Sequence, residues 1–165
     1  MDSISIIEFD KEYMKFSSGH FTIFSNEKRE KLHGHNFRVY VSFKIILNNN
    51  SNGLNYDYRI YKDKIYNICQ QLDESFLLPS KSKYLHLESD GEYLYAFFNK
   101  EKIPFLKKDV VILPIENITV EELSRWFVEA LIKDDEYLNN KEVREVMVRI
   151  SSTPGQSGAS TWINQ

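Results

Sequence analysis

The chain has one cysteine, Cys69, among its 165 residues, and a single thiol excludes a fold held together by internal disulfide bonds. It also lacks any run of roughly 18 consecutive apolar residues, which a membrane-spanning helix needs. Residues 1–13 carry acids where a secretory signal peptide has a basic segment followed by a long apolar run. We therefore expect a cytoplasmic protein with no membrane partner.

The chain has no excess of positive charge, with a formal net charge of −3, and its basic and aromatic residues do not cluster together. Neither feature favours nucleic acid as a partner. No internal repeat is visible, and the low-complexity patch at residues 48–52, followed by Gly53, predicts a turn. The length and a hydrophobic content of 42% predict one globular domain over residues 1–165.

Several segments alternate between apolar and polar side chains, as a half-buried strand does. The alternation is strict over residues 37–45, and residues 14–20 have the parity of a partner strand. Later segments predict a β-hairpin formed by residues 84–88 and 92–98, a short extended piece at 110–113, and a last strand over 146–150 that ends in a turn at 153–156.

Two segments instead have the period of an amphipathic helix. Residues 58–72 place apolar side chains on one stripe, with Asp57 near the N-terminus. A second helix begins at Thr119, whose hydroxyl forms a capping-box pattern with Glu122 three residues later. The order of these elements predicts the α+β class, with an antiparallel sheet and helices on one face.

Three of the four histidines lie within a short window on the two paired strands. His33 and His35 are two residues apart and share one face of an extended chain, and His20 has the inward parity of the preceding strand. They could be ordinary strand histidines, but a third histidine of matching parity favours a metal site, most simply for Zn²⁺. Three imidazole ligands leave a position open for water or substrate, which is typical of a catalytic site.

Residues 30–37 (Glu-Lys-Leu-His-Gly-His-Asn-Phe), together with Phe16-x-x-x-His20, resemble the zinc signature of the 6-pyruvoyl-tetrahydropterin synthase family, which includes the 6-carboxytetrahydropterin synthases. The histidine signature is specific. Weaker matches follow in the family's order at Gly53–Tyr58, Leu72-Asp73 and Pro114–Asn117. The resemblance therefore spans most of the chain.

The resemblance implies a tunnelling fold, in which a four-stranded antiparallel sheet with two helices on one face trimerises into a barrel. It implies a homo-oligomer, either a trimer or a dimer of trimers, and makes the hairpin at about residues 80–112 an insertion. It also implies a pterin substrate such as 7,8-dihydroneopterin triphosphate, bound at a subunit interface. Zinc would coordinate the hydroxyl groups of the substrate's side chain, and the product would be a 6-pyruvoyl-, 6-hydroxymethyl- or 6-carboxy-pterin.

The expected proton-transfer base differs from the one most of the family uses. Most members have a cysteine a few residues before the His-Gly-His motif, where this chain has Arg29. Cys69 lies on the apolar stripe of a predicted helix, as a core thiol does. Glu30 matches the glutamate that other members use as the base, and such members are associated with a 6-hydroxymethylpterin product. Without the resemblance, Glu30 would be one charge of a solvated loop.

Other positions depart further from the family's pattern. Asp73 matches an aspartate that assists the base, but Glu74 replaces its histidine partner. Ser152 stands where a glutamate anchors the pterin, and a hydroxyl cannot make the bidentate contact of a carboxylate. Glu116 matches a second pterin-contacting glutamate. Arg29 adds a cation near the zinc that could meet a triphosphate, or it is solvated loop charge.

These residues leave three hypotheses open. The leading one is a zinc-dependent, 6-pyruvoyl-tetrahydropterin synthase-like lyase that breaks a carbon–oxygen or a carbon–carbon bond of a dihydropterin side chain, with Glu30 as its base. The alternative is a zinc-containing tunnelling-fold protein that binds a pterin or purine without catalysis, which Arg29, Glu74 and Ser152 favour. In the third, zinc only stabilises the subunit.

Overall fold

The computed structural model describes residues 3–47, 57–133, 135, 138 and 142–164. Within these ranges the helices are α1 (Arg59–Leu72) and α2 (Val120–Ile132). The strands are β1 (Ser3–Phe9), β2 (Lys15–His20), β3 (His33–Leu47), β4 (Ser75–Pro79), β5 (Leu85–Asp90), β6 (Tyr93–Phe98), β7 (Glu101–Leu106), β8 (Val110–Leu113), β9 (Val143–Thr153) and β10 (Gln156–Ile163). The predicted turn at 48–53 lies outside the described residues.

The main sheet contains four antiparallel strands, the number that the family resemblance implies, in the order β10-β9-β3-β2. It is larger than predicted, because β4 pairs with β2 and β8 pairs with β4, both in parallel, while β1 pairs with the far half of β3. The alternation rule missed β4 because its second half is buried without interruption, as parallel strands usually are. The α+β class is confirmed.

The main core lies between this sheet and the two helices. The apolar face predicted for β3 is buried, and each of its five side chains is at most 1% exposed: Phe37, Val39, Val41, Phe43 and Ile45. The stripe predicted for α1 is buried against it, including Cys69. Burial raises the pKa of the Cys69 thiol to about 12, so this cysteine is a core residue and not a base.

The segment between β4 and α2 forms a second, three-stranded sheet in the order β5-β6-β7. The predicted hairpin is its first pair, and β7 was not predicted because Pro104 interrupts it. Proline is tolerated there because β7 is an edge strand. The inner face of this sheet packs on a second core that includes Phe21 and Ile23 from the connection between β2 and β3.

Helix α2 begins where the sequence predicts, but only half of the capping box forms. Thr119 is the N-cap, and its hydroxyl accepts a hydrogen bond from the Glu122 N–H at 3.3 Å. The Glu122 carboxylate does not return to Thr119, because it accepts from the Glu116 N–H at 3.2 Å and pairs with Arg125. Among the described residues, neither helix is long and apolar enough to cross a membrane.

Candidate metal centre and its cavity

The three histidines of the predicted zinc site converge at one end of the main sheet. In the register of β2 and β3, His20 lies opposite His33, and Ser18 lies opposite His35. Alternate residues of a strand share a face, so the three imidazoles project from the side of the sheet that the helices cover. One ring nitrogen of each lies within 4.8 Å of the others, and the Nε2 atoms of His33 and His35 are 3.1 Å apart.

Backbone carbonyls determine which nitrogen of two of these rings is protonated. His20 Nδ1 lies 2.9 Å from the Ile118 carbonyl oxygen, and His33 Nδ1 lies 2.8 Å from the Lys31 carbonyl oxygen. A carbonyl oxygen only accepts, so Nδ1 donates and the Nε2 atom of each neutral ring keeps its lone pair. Zinc-binding histidines are oriented by this kind of hydrogen bond.

The environment of the rings favours their neutral forms. Burial lowers the pKa of His20 below its ordinary value, the Ile118 carbonyl opposes this effect in part, and the neighbouring imidazoles reinforce it. Burial also lowers the pKa of His35, again with the help of a neighbouring imidazole. Neutral imidazole is the form that binds a metal, so protons compete weakly for these two nitrogens near neutral pH.

The buried Nε2 atom of His20 shows that these residues fit a metal ion. His20 is 5% exposed, and this atom has no hydrogen-bond partner among the residues that the structure describes. An unpaired buried polar atom costs about 1–3 kcal/mol, and a bound ion would remove that cost. Two nitrogens on one tetrahedral zinc ion are about 3.3 Å apart, and the His33–His35 separation of 3.1 Å is close to this.

Glu30 lies beside the histidines and is fixed by Thr22. The Thr22 N–H donates to Glu30 Oε2 at 2.9 Å, and the Glu30 N–H donates to the Thr22 carbonyl at 2.8 Å. His33 Nε2 is 3.9 Å from the same carboxylate oxygen. Burial raises the pKa of Glu30, but the Thr22 hydrogen bonds and the nearby imidazoles outweigh it and hold the pKa below its usual range. The side chain is therefore an ionised carboxylate near neutral pH.

Asn117 holds this part of the chain together. Its side-chain oxygen accepts from the Ile23 and Ile118 N–H groups at 3.0 and 3.1 Å, and its amide donates to the Ile23 carbonyl at 2.8 Å. Ile118 in turn accepts the hydrogen bond from His20. One amide side chain thus positions both the loop that carries Glu30 and the carbonyl that orients His20.

A cavity of about 400 Å³ opens onto the histidines and Glu30. Its wall also includes Thr22, Phe24, Phe37, Glu121, Ser152 and Gln156. Ser152, on β9, thus lies beside the centre. The cavity combines metal-ligating nitrogens, two carboxylates, neutral polar groups and aromatic rings, and it can hold a small polar heterocycle.

A family model described as 6-pyruvoyl tetrahydropterin synthase matches residues 9–161. The chain belongs to this family. The solved structure of Plasmodium falciparum 6-pyruvoyl tetrahydropterin synthase is similar with a TM-score of 0.91 and 25% identity, over 98% of this chain and 99% of that chain. The Plasmodium vivax enzyme is similar with a TM-score of 0.90 and 27% identity, over 98% and 99% of the two chains.

These similarities confirm the tunnelling fold predicted from the sequence. Among curated proteins, the chain is 26% identical over 151 residues to one from Methanocaldococcus jannaschii named "Putative 6-carboxy-5,6,7,8-tetrahydropterin synthase", covering 87% of this chain and 86% of the relative. Two further solved structures are variants of the P. vivax enzyme in which a glutamate is replaced by alanine or cysteine, and both are described as catalytic residue mutants.

The structure does not bring Arg29 to the cavity of this family member. Its Nε and Nη2 atoms lie 2.7 and 2.6 Å from Glu101 Oε2 on β7, and Nη1 donates to the Glu30 carbonyl at 2.7 Å. The guanidinium also lies over the Phe21 ring, 5.1 Å from its centroid. These contacts connect the β2–β3 loop to the three-stranded sheet. Within one chain Arg29 does not line the histidine cavity, and its contact with a triphosphate stays a prediction.

Asp73 and Glu74 also lie outside the cavity of their own chain. Asp73 accepts a hydrogen bond from the Ser17 N–H at 2.7 Å. Glu74 lines a different cavity around Gly19 and Gly34, which have the opposite strand parity to the histidines, and the two cavities share only His35. The predicted pair therefore lies beside β2, where that strand pairs with β4, and it does not line the cavity of Glu30 within one chain.

Glu116 is the fourth predicted site residue that does not line the histidine cavity. Its side chain is exposed and lines a cavity with Lys81, Lys83 and Tyr84. Adjacent residues of an extended chain point in opposite directions, and Asn117 turns inward to bind Ile23. Glu116 therefore does not line the histidine cavity of its own chain, and its contact with a pterin stays a prediction.

Glu121 and Gln156 are among the cavity residues that were not predicted from the sequence. Glu121 follows the N-cap Thr119 by two positions, so the capping pattern places it in the first turn of α2. The pattern does not predict which part of the molecule lies beside that turn. Gln156 begins β10, a segment predicted only as the end of a turn. No local pattern identifies either residue, because both reach the cavity through the packing of α2 against β10.

Proposed function

We propose that this chain is a zinc-dependent lyase of the 6-pyruvoyl tetrahydropterin synthase family that acts on the side chain of a dihydropterin such as 7,8-dihydroneopterin triphosphate. The observation that carries the proposal is the convergence of His20, His33 and His35, with a buried unpaired nitrogen, beside the Glu30 carboxylate in one cavity. The product would be a 6-pyruvoyl-, 6-hydroxymethyl- or 6-carboxy-pterin.

Each group has a distinct part in the proposed reaction. The three histidines would hold the ion, and bound zinc makes substrate hydroxyl groups more acidic and stabilises developing negative charge. Glu30 would accept a proton from the substrate's side chain as a general base. Its lowered pKa makes it a weak base, which suits removal of a proton from an acidified hydroxyl group. Thr22 keeps the carboxylate in position.

The solved Plasmodium vivax variants support this role for Glu30. In that enzyme a glutamate is described as a catalytic residue. Of the two glutamates in the cavity of this chain, Glu30 is the one whose carboxylate lies 3.9 Å from a histidine nitrogen. The buried Cys69, with a pKa of about 12, is unsuited to the same task.

The test compares zinc-loaded wild type with Glu30→Gln on 7,8-dihydroneopterin triphosphate, with products identified by mass spectrometry. Glu27→Gln, an exposed charge of the same loop, is the matched control. We expect turnover by the wild type and the control, and a loss of about 10²–10⁴-fold in Glu30→Gln. Absence of turnover by wild type with stoichiometric zinc would refute the proposal.

A second candidate is a zinc-containing protein that binds a pterin or purine without catalysis. It is favoured by Ser152 in the cavity wall and by Glu74 in place of the histidine that the family has at that position. It predicts pterin binding without a product and unchanged affinity in Glu30→Gln. If zinc only stabilises the subunit, His35→Ala would lower the melting temperature and leave any turnover unchanged.

We also propose that residues 1–165 form one domain and that the protein is a cytoplasmic homo-oligomer, either a trimer or a dimer of trimers. In such an assembly Asp73 and Glu74, which do not line the cavity of their own chain, would be available to the cavity of a neighbouring subunit. Sedimentation equilibrium of the full chain measures the assembly, and a monomer at micromolar concentration would contradict it.

A further inference from the structure

Arg29 occupies a closed position between the loop that carries Glu30 and the three-stranded sheet. Its side chain is 15% exposed, and its guanidinium lies over the Phe21 and Phe98 rings, 5.1 and 5.8 Å from their centroids. Nε and Nη2 are bound to Glu101 Oε2, and Nη1 donates to the Glu30 carbonyl. All three guanidinium nitrogens therefore have a partner, and the planar group is held in one orientation.

The contact between Arg29 and Glu30 completes the support of the proposed base. The Glu30 N–H donates to the Thr22 carbonyl, and the Thr22 N–H donates to Glu30 Oε2. Thr22 thus fixes the N–H side of Glu30 and its carboxylate, and Arg29 fixes the carbonyl side. That carbonyl belongs to the peptide that leads on to His33, so Arg29 also holds the chain between the base and the metal centre.

The three-stranded sheet anchors the other end of the Arg29 side chain. Glu101 begins β7 and lies opposite Phe98 of β6, a residue of the second core. A group that is bound to a packed strand is placed more precisely than one that is held by a loop alone. Neither Arg29 nor Glu101 lines the histidine cavity, so within one chain they act on that cavity by way of Glu30.

The second core also holds Thr22. Its two neighbours in the chain, Phe21 and Ile23, are buried in that core, and Ile23 forms an antiparallel bridge with Arg29. Both supports of Glu30, the Thr22 backbone and the Arg29 guanidinium, therefore depend on the packing of the same small sheet.

We propose that Arg29 is a positioning residue for Glu30: bound to Glu101, it fixes the base to the three-stranded sheet. This inference rests on the proposed function, because it takes Glu30 as the general base. A misplacement of about 1 Å can cost a reaction about 10²-fold in rate. Arg29 therefore raises kcat without binding substrate, and the three-stranded sheet acts in catalysis as the scaffold of the base.

The experiment measures kcat and KM of the zinc-loaded full chain on 7,8-dihydroneopterin triphosphate. Arg29→Met keeps an apolar stem beside the Phe21 ring but removes the hydrogen bonds. We expect kcat to fall by about tenfold, since the Thr22 hydrogen bonds remain, while KM and zinc content stay within about twofold of wild type. The matched control is Arg59→Met, which removes an exposed arginine of α1 paired with Asp57 and should leave kcat unchanged.

Glu101→Leu tests the same connection from the sheet. Glu101 is half exposed on an edge strand, so the variant should fold, and Arg29 then loses its anchor but keeps its charge. The proposal predicts a lower kcat at unchanged KM. Direct binding of the triphosphate by Arg29 predicts instead an unchanged kcat and an equal or lower KM, because the freed guanidinium would be available to the phosphates.

A double variant shows whether Arg29 acts through Glu30. The effects of two residues that act as a unit are not additive. Arg29→Met should therefore cause no further loss in the residual turnover of Glu30→Gln. A further loss of about tenfold in Glu30→Gln/Arg29→Met would place the damage elsewhere and overturn the inference.

Each outcome decides a different point, and zinc content and melting temperature are measured for every variant. An unchanged kcat in Arg29→Met or Glu101→Leu, or an increase in KM alone, overturns the positioning role and leaves the zinc lyase proposal intact. If Arg29→Met does not fold, Glu101→Leu decides. Absence of turnover by wild type overturns the proposed function, and the inference with it. A lower kcat at unchanged KM in the single variants, with no further loss in the Glu30→Gln background, supports the inference.

Discussion

Substitution of Gly158 by alanine tests whether the contact between β10 and α2 shapes the cavity. The added Cβ atom would lie 2.8 Å from the Glu121 nitrogen and the Val120 carbonyl carbon, and 2.9 Å from the Val120 oxygen. The first two distances are about 0.6 Å short of the 3.4 Å at which ordinary contacts begin. The atoms in the way are backbone, so the first turn of α2 must move.

The expected cost follows from this overlap. Overpacking of this kind costs about 1–3 kcal/mol, and the rigid backbone on the opposing side places Gly158→Ala in the upper half of that range. Loss of glycine's freedom in the unfolded chain returns about 0.4–1 kcal/mol. We expect a net loss of about 2 kcal/mol, which lowers the melting temperature by about 4–8 °C for a chain of this length.

The same movement should weaken zinc binding. Ile118, whose carbonyl orients His20, lies two residues before α2, so a shift of the first turn disturbs that hydrogen bond. Disturbing the partner of a metal-binding histidine lowers affinity by about tenfold or more. Gly91→Ala is the control, because a Cβ atom there meets nothing within 4 Å, although its φ of +56° is unfavourable for alanine. Competition with a chelating dye and thermal denaturation measure both effects, and an unchanged zinc affinity in Gly158→Ala would refute the coupling.

Three further predictions concern the support of the site. Asn117→Ala removes three hydrogen bonds to Ile23 and Ile118 and should lower the free energy of unfolding by about 2 kcal/mol. Urea denaturation measures this loss, and zinc should also bind more weakly to the variant. Without metal, the free energy of unfolding should fall as the pH drops below about 6.5. The pKa values of His20 and His35 are lowered in the folded chain, so in this range the unfolded chain binds more protons than the folded chain. Urea denaturation across pH 5–8 should show this slope, and a flat profile would contradict it. Arg29→Met should lower the melting temperature by a few degrees, because the guanidinium is bound to Glu101 and the Glu30 carbonyl. A large increase in the KM for 7,8-dihydroneopterin triphosphate in this variant would instead indicate that Arg29 contacts the triphosphate.

Local periodicity predicted the elements that carry the centre. The alternation over residues 37–45 and 14–20 predicted β3 and its pairing with β2, and the parity of His20, His33 and His35 placed three imidazoles on one face. These predictions succeed because a strand's side-chain period depends only on local backbone geometry. The family resemblance added the tunnelling fold and the expectation of a pterin ligand.

Strands without a local signature were not predicted. β4 is a short, continuously buried segment that pairs in parallel, and β7 carries a proline that only an edge position tolerates. Their assignment requires knowledge of which strands lie beside them. The partner of Arg29 could not be predicted for the same reason. Its position in the sequence suggested a contact with a triphosphate, and within the chain it binds Glu101 on β7.

The sequence by itself therefore determined the three histidines, the strands that hold them and the two amphipathic helices. Only the tertiary structure decided which side chains surround the histidines. It placed Glu121 and Gln156 in the cavity and left Asp73, Glu74 and Glu116 outside it. The physical reason is that the face of a strand on which a histidine lies depends on that strand and its partner alone. The cavity wall instead forms where α2, β9, β10 and the β2–β3 loop meet. That meeting depends on close contacts, such as the one at Gly158, between residues far apart in the chain.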